Sequence, residues 1–306
     1  MVFGLFKKKK AAQPQASVES VPPAHAAPAQ GAPPMSFQPP AVCADWDRFI
    51  AEVQGRLQEL LQQKVAESEP LIAAVQGDTQ ALMLLWGAVE HQMQNLQEEI
   101  SDRWDEVCDE LADDESASEE LVNAEGQKRD LGNLELELAY LGAYREVCAR
   151  AAKKMMDWAL NEDARTRFCS ECGGPLVSFL IGQAQNIQCP ACGADQTVEP
   201  GQSFRMFAAS GARWVGEWDA FPHFQAMKRF ECQIQQYRNS QDVPLELLKS
   251  YHDAAQEYWG TAFGVEAQLV PQMAKDIPNK VAAMMKGAQK LLRQHWQWRS
   301  FEEGNA

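Results

Sequence analysis

One apolar stripe fixes the local structure of a large part of this chain. Leu82, Leu85, Trp86, Val89, Met93, Leu96, Ile100, Trp104, Val107 and Leu111 recur every three or four residues. Only an α-helix brings such positions onto one face. A helix of about thirty residues spans roughly 45 Å at 1.5 Å per residue. Asp78 and Thr79, just ahead of it, are candidate N-caps. An earlier stripe of Trp46, Phe49, Ile50, Val53, Leu57, Leu60 and Leu61 predicts a second helix, with Asp45 as its cap. A later one passes through Leu134, Leu138, Leu141, Cys148, Ala151, Met155 and Trp158, with Ser118 as its candidate cap. Three long helices with short connections predict an antiparallel bundle or coiled-coil hairpin over 42–162.

The pattern changes at Arg165. Over 165–200, short β-like pieces (Leu176–Ile181, Asn186–Gln188, Thr197–Glu199) alternate with Gly and Pro turns. Cys169 and Cys172 form one Cys-x-x-Cys pair, Cys189 and Cys192 a second, with sixteen residues between them. Two intervening residues let a tight turn aim both sulfurs at one ion, and the separation suits a four-cysteine zinc site. Gly173 and Gly193 follow the pairs, where the backbone must turn back.

These segments, Cys169-Ser170-Glu171-Cys172-Gly173 and Cys189-Pro190-Ala191-Cys192-Gly193, resemble the knuckles of the zinc-ribbon family. The resemblance covers about a tenth of the chain and implies one structural zinc on Cys169, Cys172, Cys189 and Cys192. Four thiolates leave no open position for water, which argues against a hydrolytic metal. Iron is the competing ion, because Cys-Pro-x-Cys-Gly also resembles a rubredoxin knuckle and tetrahedral sulfur suits either metal. A bundle joined to such a knuckle is similar to the rubrerythrins, whose di-iron helices carry Glu-x-x-His. Here the residues three before His25, His91, His223, His252 and His295 are Pro22, Ala88, Ala220, Lys249 and Leu292, so that ligand set is absent.

Charge narrows the function further. Lys and Arg number 28 against 43 Asp and Glu, a net charge of −15. Thirteen of the acids lie between Glu98 and Glu125, where Arg103 is the one basic residue. From Cys169 to Pro200 there is no Lys or Arg. Neither the whole chain nor the ribbon is built to attract nucleic-acid phosphates. The acidic 98–125 surface instead suits a basic protein partner.

Residues 1–40 are rich in Pro, Ala and Gln and lack the apolar surface to offset ordering, so a disordered tail is expected. Its tip, with Val2, Phe3, Leu5 and Phe6 before Lys7, Lys8, Lys9 and Lys10, suits weak contact with an anionic membrane. No run reaches the ~20 apolar residues of a spanning helix, and Val2–Phe6 precedes its lysines rather than following them as in a secretory signal. A cytoplasmic location is expected, with a possible peripheral place at the inner membrane face, and the eight cysteines are read as metal ligands or free thiols.

After Gly201, helices are expected at Phe221–Tyr237, Pro244–Phe263 and Ile277–Trp298, giving a second helical domain over 203–306. The last pairs an apolar face (Ile277, Val281, Met284, Met285, Ala288, Leu291, Leu292, Trp296) with Lys280, Lys286, Lys290, Arg293 and Arg299. That face fits a membrane, an acidic partner, or the protein's own bundle, where its cations would meet the 98–125 acids. No H-E-x-x-H, G-x-S-x-G or phosphate-loop motif appears. Cys43, Cys108, Cys148 and Cys232 read as small buried residues. Glu217, Asp219 and His223 are the one acid–base grouping that suggests an enzyme. The expectation is a mainly α, non-enzymatic scaffold or adaptor with a structural zinc ribbon; the alternative is a peripheral membrane protein.

Overall fold

A computed structural model describes residues 40–75, 79–163, 167–176, 184–237 and 243–304. They belong to one compact unit, Pro39–Ala306. The tail expected over 1–40 lies outside the described residues except for Pro40.

Three long helices come first: α1 (Ala41–Ala74), α2 (Gln80–Ala112) and α3 (Glu119–Asp163). Side-chain contacts give their directions. Trp46 meets Trp104 and Ser68 meets Trp86, so α2 runs antiparallel to α1. Gln97 donates to the Asn133 carbonyl and Trp86 packs on Tyr140, so α3 turns back again. Trp46 reaches the Glu125 carbonyl and Arg150 pairs with Glu69, which sets α3 parallel to α1. The predicted stripes are the inner faces: Trp46, Val53, Leu57, Trp86, Val89, Ile100, Val107 and Leu111 are buried in one core.

The helix ends differ from expectation at two points. α1 starts four residues before Asp45, behind Pro40; Asp45 instead pairs with Arg48 at 2.6 Å inside the helix. α1 also continues through Pro70, well past Leu61. Ser118 does cap α3, its Oγ accepting from the Leu121 N–H at 3.2 Å. Thr79 precedes α2 but makes no side-chain cap bond, and Asp78 lies outside the described residues.

Ser68 stabilises the α1–α2 contact. Its side chain is fully buried, accepts from the Trp86 indole N–H at 3.1 Å and donates to the Lys64 carbonyl at 2.8 Å. Ser68→Ala leaves that indole donor without an acceptor, which costs about 1–3 kcal/mol. Urea unfolding should show this as a lower midpoint at unchanged slope; an unmoved midpoint would contradict the role.

α3 is 45 residues long, roughly 68 Å, and runs on beyond the α1–α2 hairpin. Its second half buries Val147, Cys148, Ala151, Ala152, Met155 and Ala159. A helical run absent from the sequence reading packs there: α4 (Gln202–Met206), a wide π turn (Phe207–Gly211) and α5 (Ala212–Asp219). Phe204, Phe207, Ala212 and Val215 join the same core as α1–α3. Next come α6 (Phe221–Gln236), α7 (Leu245–Leu269), a 3-10 turn (Pro271–Asp276), α8 (Ile277–Leu292) and α9 (Trp296–Gly304). A second core forms around Ile234, Leu248, Tyr251, Ala255, Met285, Leu292 and Trp298. A third, smaller cluster joins Ala220, Tyr258 and Ala262, so the apolar residues of 203–306 are divided among three clusters, one of them shared with the bundle. The single helix expected over Ile277–Trp298 breaks after Leu292 and resumes at Trp296.

Candidate metal centre

Between α3 and α4 the chain makes two small antiparallel pairs. β1 (Arg167–Phe168) pairs with β2 (Pro175–Leu176), and β3 (Gln185–Gln188) with β4 (Asp195–Val198). Each pair is closed by one Cys-x-x-Cys turn, and the two turns share one pattern. The Cys169 N–H donates to the Gly174 carbonyl at 2.8 Å, and the Gly173 N–H to the Cys169 carbonyl at 3.0 Å. The Cys189 N–H donates to Ala194 and the Gly193 N–H to Cys189, both at 2.8 Å. Gly173 and Gly193 have φ of 71° and 75°, a left-handed conformation that costs other residues roughly 1–2 kcal/mol.

These turns bring four sulfurs together. The Sγ atoms of Cys169, Cys172, Cys189 and Cys192 all lie within 4.8 Å of one another. Cys169 and Cys192 are 3.7 Å apart, Cys172 and Cys189 3.6 Å. A tetrahedron with metal–sulfur bonds of about 2.3 Å has sulfur–sulfur edges of roughly 3.8 Å, so the spacing fits a shared ion. It is far longer than the roughly 2.05 Å of a disulfide bond.

The backbone also favours thiolates. The Glu171 and Gly174 N–H groups donate to Cys169 and Cys172, each at 3.4 Å. The N–H groups of Cys192 and Ala191, with smaller help from neighbouring thiols, bring Cys189 down to about 7. Cys192 receives the Ala194 N–H, yet contacts with Cys172, Cys169 and Cys189 push it up to about 12. Several negative sulfurs this close repel one another, and a divalent cation relieves that repulsion. The donor set thus fits a tetrahedral metal and leaves no open coordination position.

Around the sulfurs, Leu176 and Val198 are buried with Cys169 and Cys189, and Ile187 and Ala194 pack on them. Ser170 Oγ donates to Gln196 Oε1 at 2.9 Å, tying the first turn to the second hairpin. Of the β-like piece expected over Leu176–Ile181, Val177, Phe179, Leu180 and Ile181 lie outside the described residues. Among the described residues, no other His, Cys, Asp or Glu group has metal-holding geometry.

The remaining candidates resolve differently. Burial raises the thiol pKa of Cys43, Cys108, Cys148 and Cys232, holding them as neutral thiols. Glu217 pairs with Arg213 at 2.6 Å. Asp219 ends α5 with its pKa raised by burial, and His223 stands in the first turn of α6. Among the described residues no hydrogen bond or ion pair joins these three side chains. Between Glu98 and Glu125 every acid is exposed except Asp114 and Glu125. Glu125 is buried against Lys128 at 2.8 Å, and the other ion pairs of the stretch go to Arg56 and Arg103. The cations of α8 do not meet these acids among the described residues: Lys280 pairs with Glu266 and Arg293 with Glu302. Its apolar face packs on α7 through Met285, Ala288 and Leu292. No described helix is long and apolar enough to cross a membrane. No family model, curated protein or solved structure matches this chain.

Proposed function

We propose that Cys169, Cys172, Cys189 and Cys192 hold one structural zinc ion, and that the chain is a non-enzymatic cytoplasmic scaffold or adaptor. The fourfold sulfur cluster carries the reading. A donor set that encloses its ion offers substrate no place on the metal, and among the described residues Glu217, Asp219 and His223 are not joined by a hydrogen bond or ion pair. The exposed acids of 98–125 supply a surface for a basic protein partner. Free thiols suit a reducing compartment.

Elemental analysis of the purified full chain tests the metal: about one zinc per chain is expected and less than about 0.2 overturns the assignment. A colourless solution separates zinc from a coloured iron–thiolate site. The partner surface is tested by capture from native cytoplasm with the full chain and with a variant carrying Asp102, Asp105, Asp109 and Asp113 as asparagine. A partner retained by the first and lost by the second supports it.

A membrane role rests on Lys7, Lys8, Lys9 and Lys10, outside the described residues, and on what stays exposed of the C-terminal apolar face, Met284 and Trp296, since Met285, Ala288 and Leu292 are buried. Co-sedimentation with anionic vesicles, lost when the four lysines become alanine, would favour that reading over the scaffold.

A further inference from the structure

Cys172 and Cys192 are exposed, whereas Cys169 and Cys189 are buried. Across the two turns each exposed sulfur stands beside a buried one: Cys192 is 3.7 Å from Cys169, and Cys172 is 3.6 Å from Cys189. We propose that the cluster is a peroxide-responsive switch, in which these two pairs close into disulfide bonds and release the ion. The inference rests on the zinc assignment above for what is released, and on the sulfur geometry for the pairing.

Access and reactivity single out these four cysteines. The thiolate, not the thiol, attacks an oxidant. Coordination to a divalent metal keeps a thiol deprotonated, so all four ligands are thiolates at neutral pH. Cys43 and Cys148 are buried, Cys108 and Cys232 half-buried, and burial raises the pKa of all four. They stay protonated and slow to react. Peroxide therefore meets Cys172 and Cys192 first.

Each disulfide consumes one hydrogen peroxide. The exposed thiolate attacks one peroxide oxygen, the O–O bond breaks, hydroxide leaves and a sulfenic acid forms. The buried thiolate of the opposite turn then attacks that sulfur, and a second hydroxide leaves as the S–S bond forms. Two electrons pass from the sulfur pair to the peroxide, and two solvent protons convert the hydroxides to water. Closure between turns is favoured over closure within one. Each Cys-x-x-Cys turn is fixed by its own backbone hydrogen bonds, whereas the two hairpins share no strand pairing. They can draw together by the roughly 1.6 Å that separates the present spacing from a bond of about 2.05 Å. A disulfide sulfur carries no charge to hold a cation, so the ion loses its ligands.

Hydrogen peroxide titration of the full chain with a chromogenic zinc indicator tests the proposal. Zinc release is expected at about two peroxides per ion, at least about tenfold faster than oxidation of Cys108 and Cys232. Mass mapping of peptides should find Cys169–Cys192 and Cys172–Cys189, and dithiothreitol should restore zinc binding. Disulfides within a turn, or zinc retained while Cys108 and Cys232 oxidise, would overturn it. Zinc content measured before oxidation separates the two readings. A zinc-loaded chain that fails to form these pairs overturns the switch alone, and a chain purified without zinc overturns the metal assignment and the release with it.

Discussion

Replacing Cys169 and Cys189 together by alanine is expected to abolish metal binding and unfold the residues around the sulfur cluster, while the helices remain. The buried apolar content there is small: Leu176 and Val198 beside the two inner cysteines, with Ile187 and Ala194 against them. Isolated two-stranded hairpins are marginal in water, whereas a structural zinc supplies apparent binding free energy of about 10–16 kcal/mol. If the cluster holds the proposed zinc, almost all the folding free energy of this segment would therefore come from the ion. Metal content should fall from about one equivalent to near zero. Limited proteolysis should open new sites within 167–200, and helical circular dichroism should barely change. A strong chelator should reproduce the effect in the unsubstituted chain, and so should acid, because protons compete for the thiolates. Unaltered protease resistance in the metal-free variant would sink this account.

The second large effect is expected at Gly216. It lies where α5 crosses α7, and a Cβ built on it falls well inside van der Waals contact distance of the Ala262 carbonyl oxygen, with the Ala262 carbonyl carbon at 3.1 Å and its Cα at 3.4 Å. The obstacle is backbone, so no rotamer change relieves it. Gly216→Ala must push the helices apart, at a cost of about 3 kcal/mol. For a unit of this size that lowers Tm by roughly 6–12 °C. Gly87→Ala is the matched control: it sits on the exposed side of α2 with nothing within 4 Å. There alanine should stabilise by about 0.5–1 kcal/mol through helix propensity alone. Equal melting temperatures for the two variants would show that the close approach does not matter.

These two glycines also show what a linear reading misses. The bundle helices were legible because their cores are built from large residues at regular spacing, Trp46 to Leu61 and Leu82 to Leu111. The helix after the ribbon was not. Its sequence over 207–216, FAASGARWVG, looks like a chain breaker. Gly211 sits against Phe207 and Ala152, and Gly216 against Ala262, so small residues serve close approach there. α1 past Leu61 was hidden for a related reason: Pro70 argues locally against helix, and burial of Ser68 and Ile72 overrides it. The sulfur cluster was legible because its geometry is local, two residues between ligands and glycine behind each pair. A cavity between α3 and α5 was not, because its walls come from residues 144–148 and 209–217, which become neighbours only when α5 lies on α3.

The sulfur-bearing segment also has an uncommon place in the chain. It enters from α3 and leaves into α4, two helices that pack on each other. The Arg167 guanidinium donates to the Glu199 carbonyl, so entrance and exit lie within one arginine's reach. An excursion that begins and ends at nearly the same point imposes little closure penalty on its host, because that penalty grows only slowly with length. By that argument, exchange of the segment for a shorter one is expected to leave the packing of α3 on α4 in place.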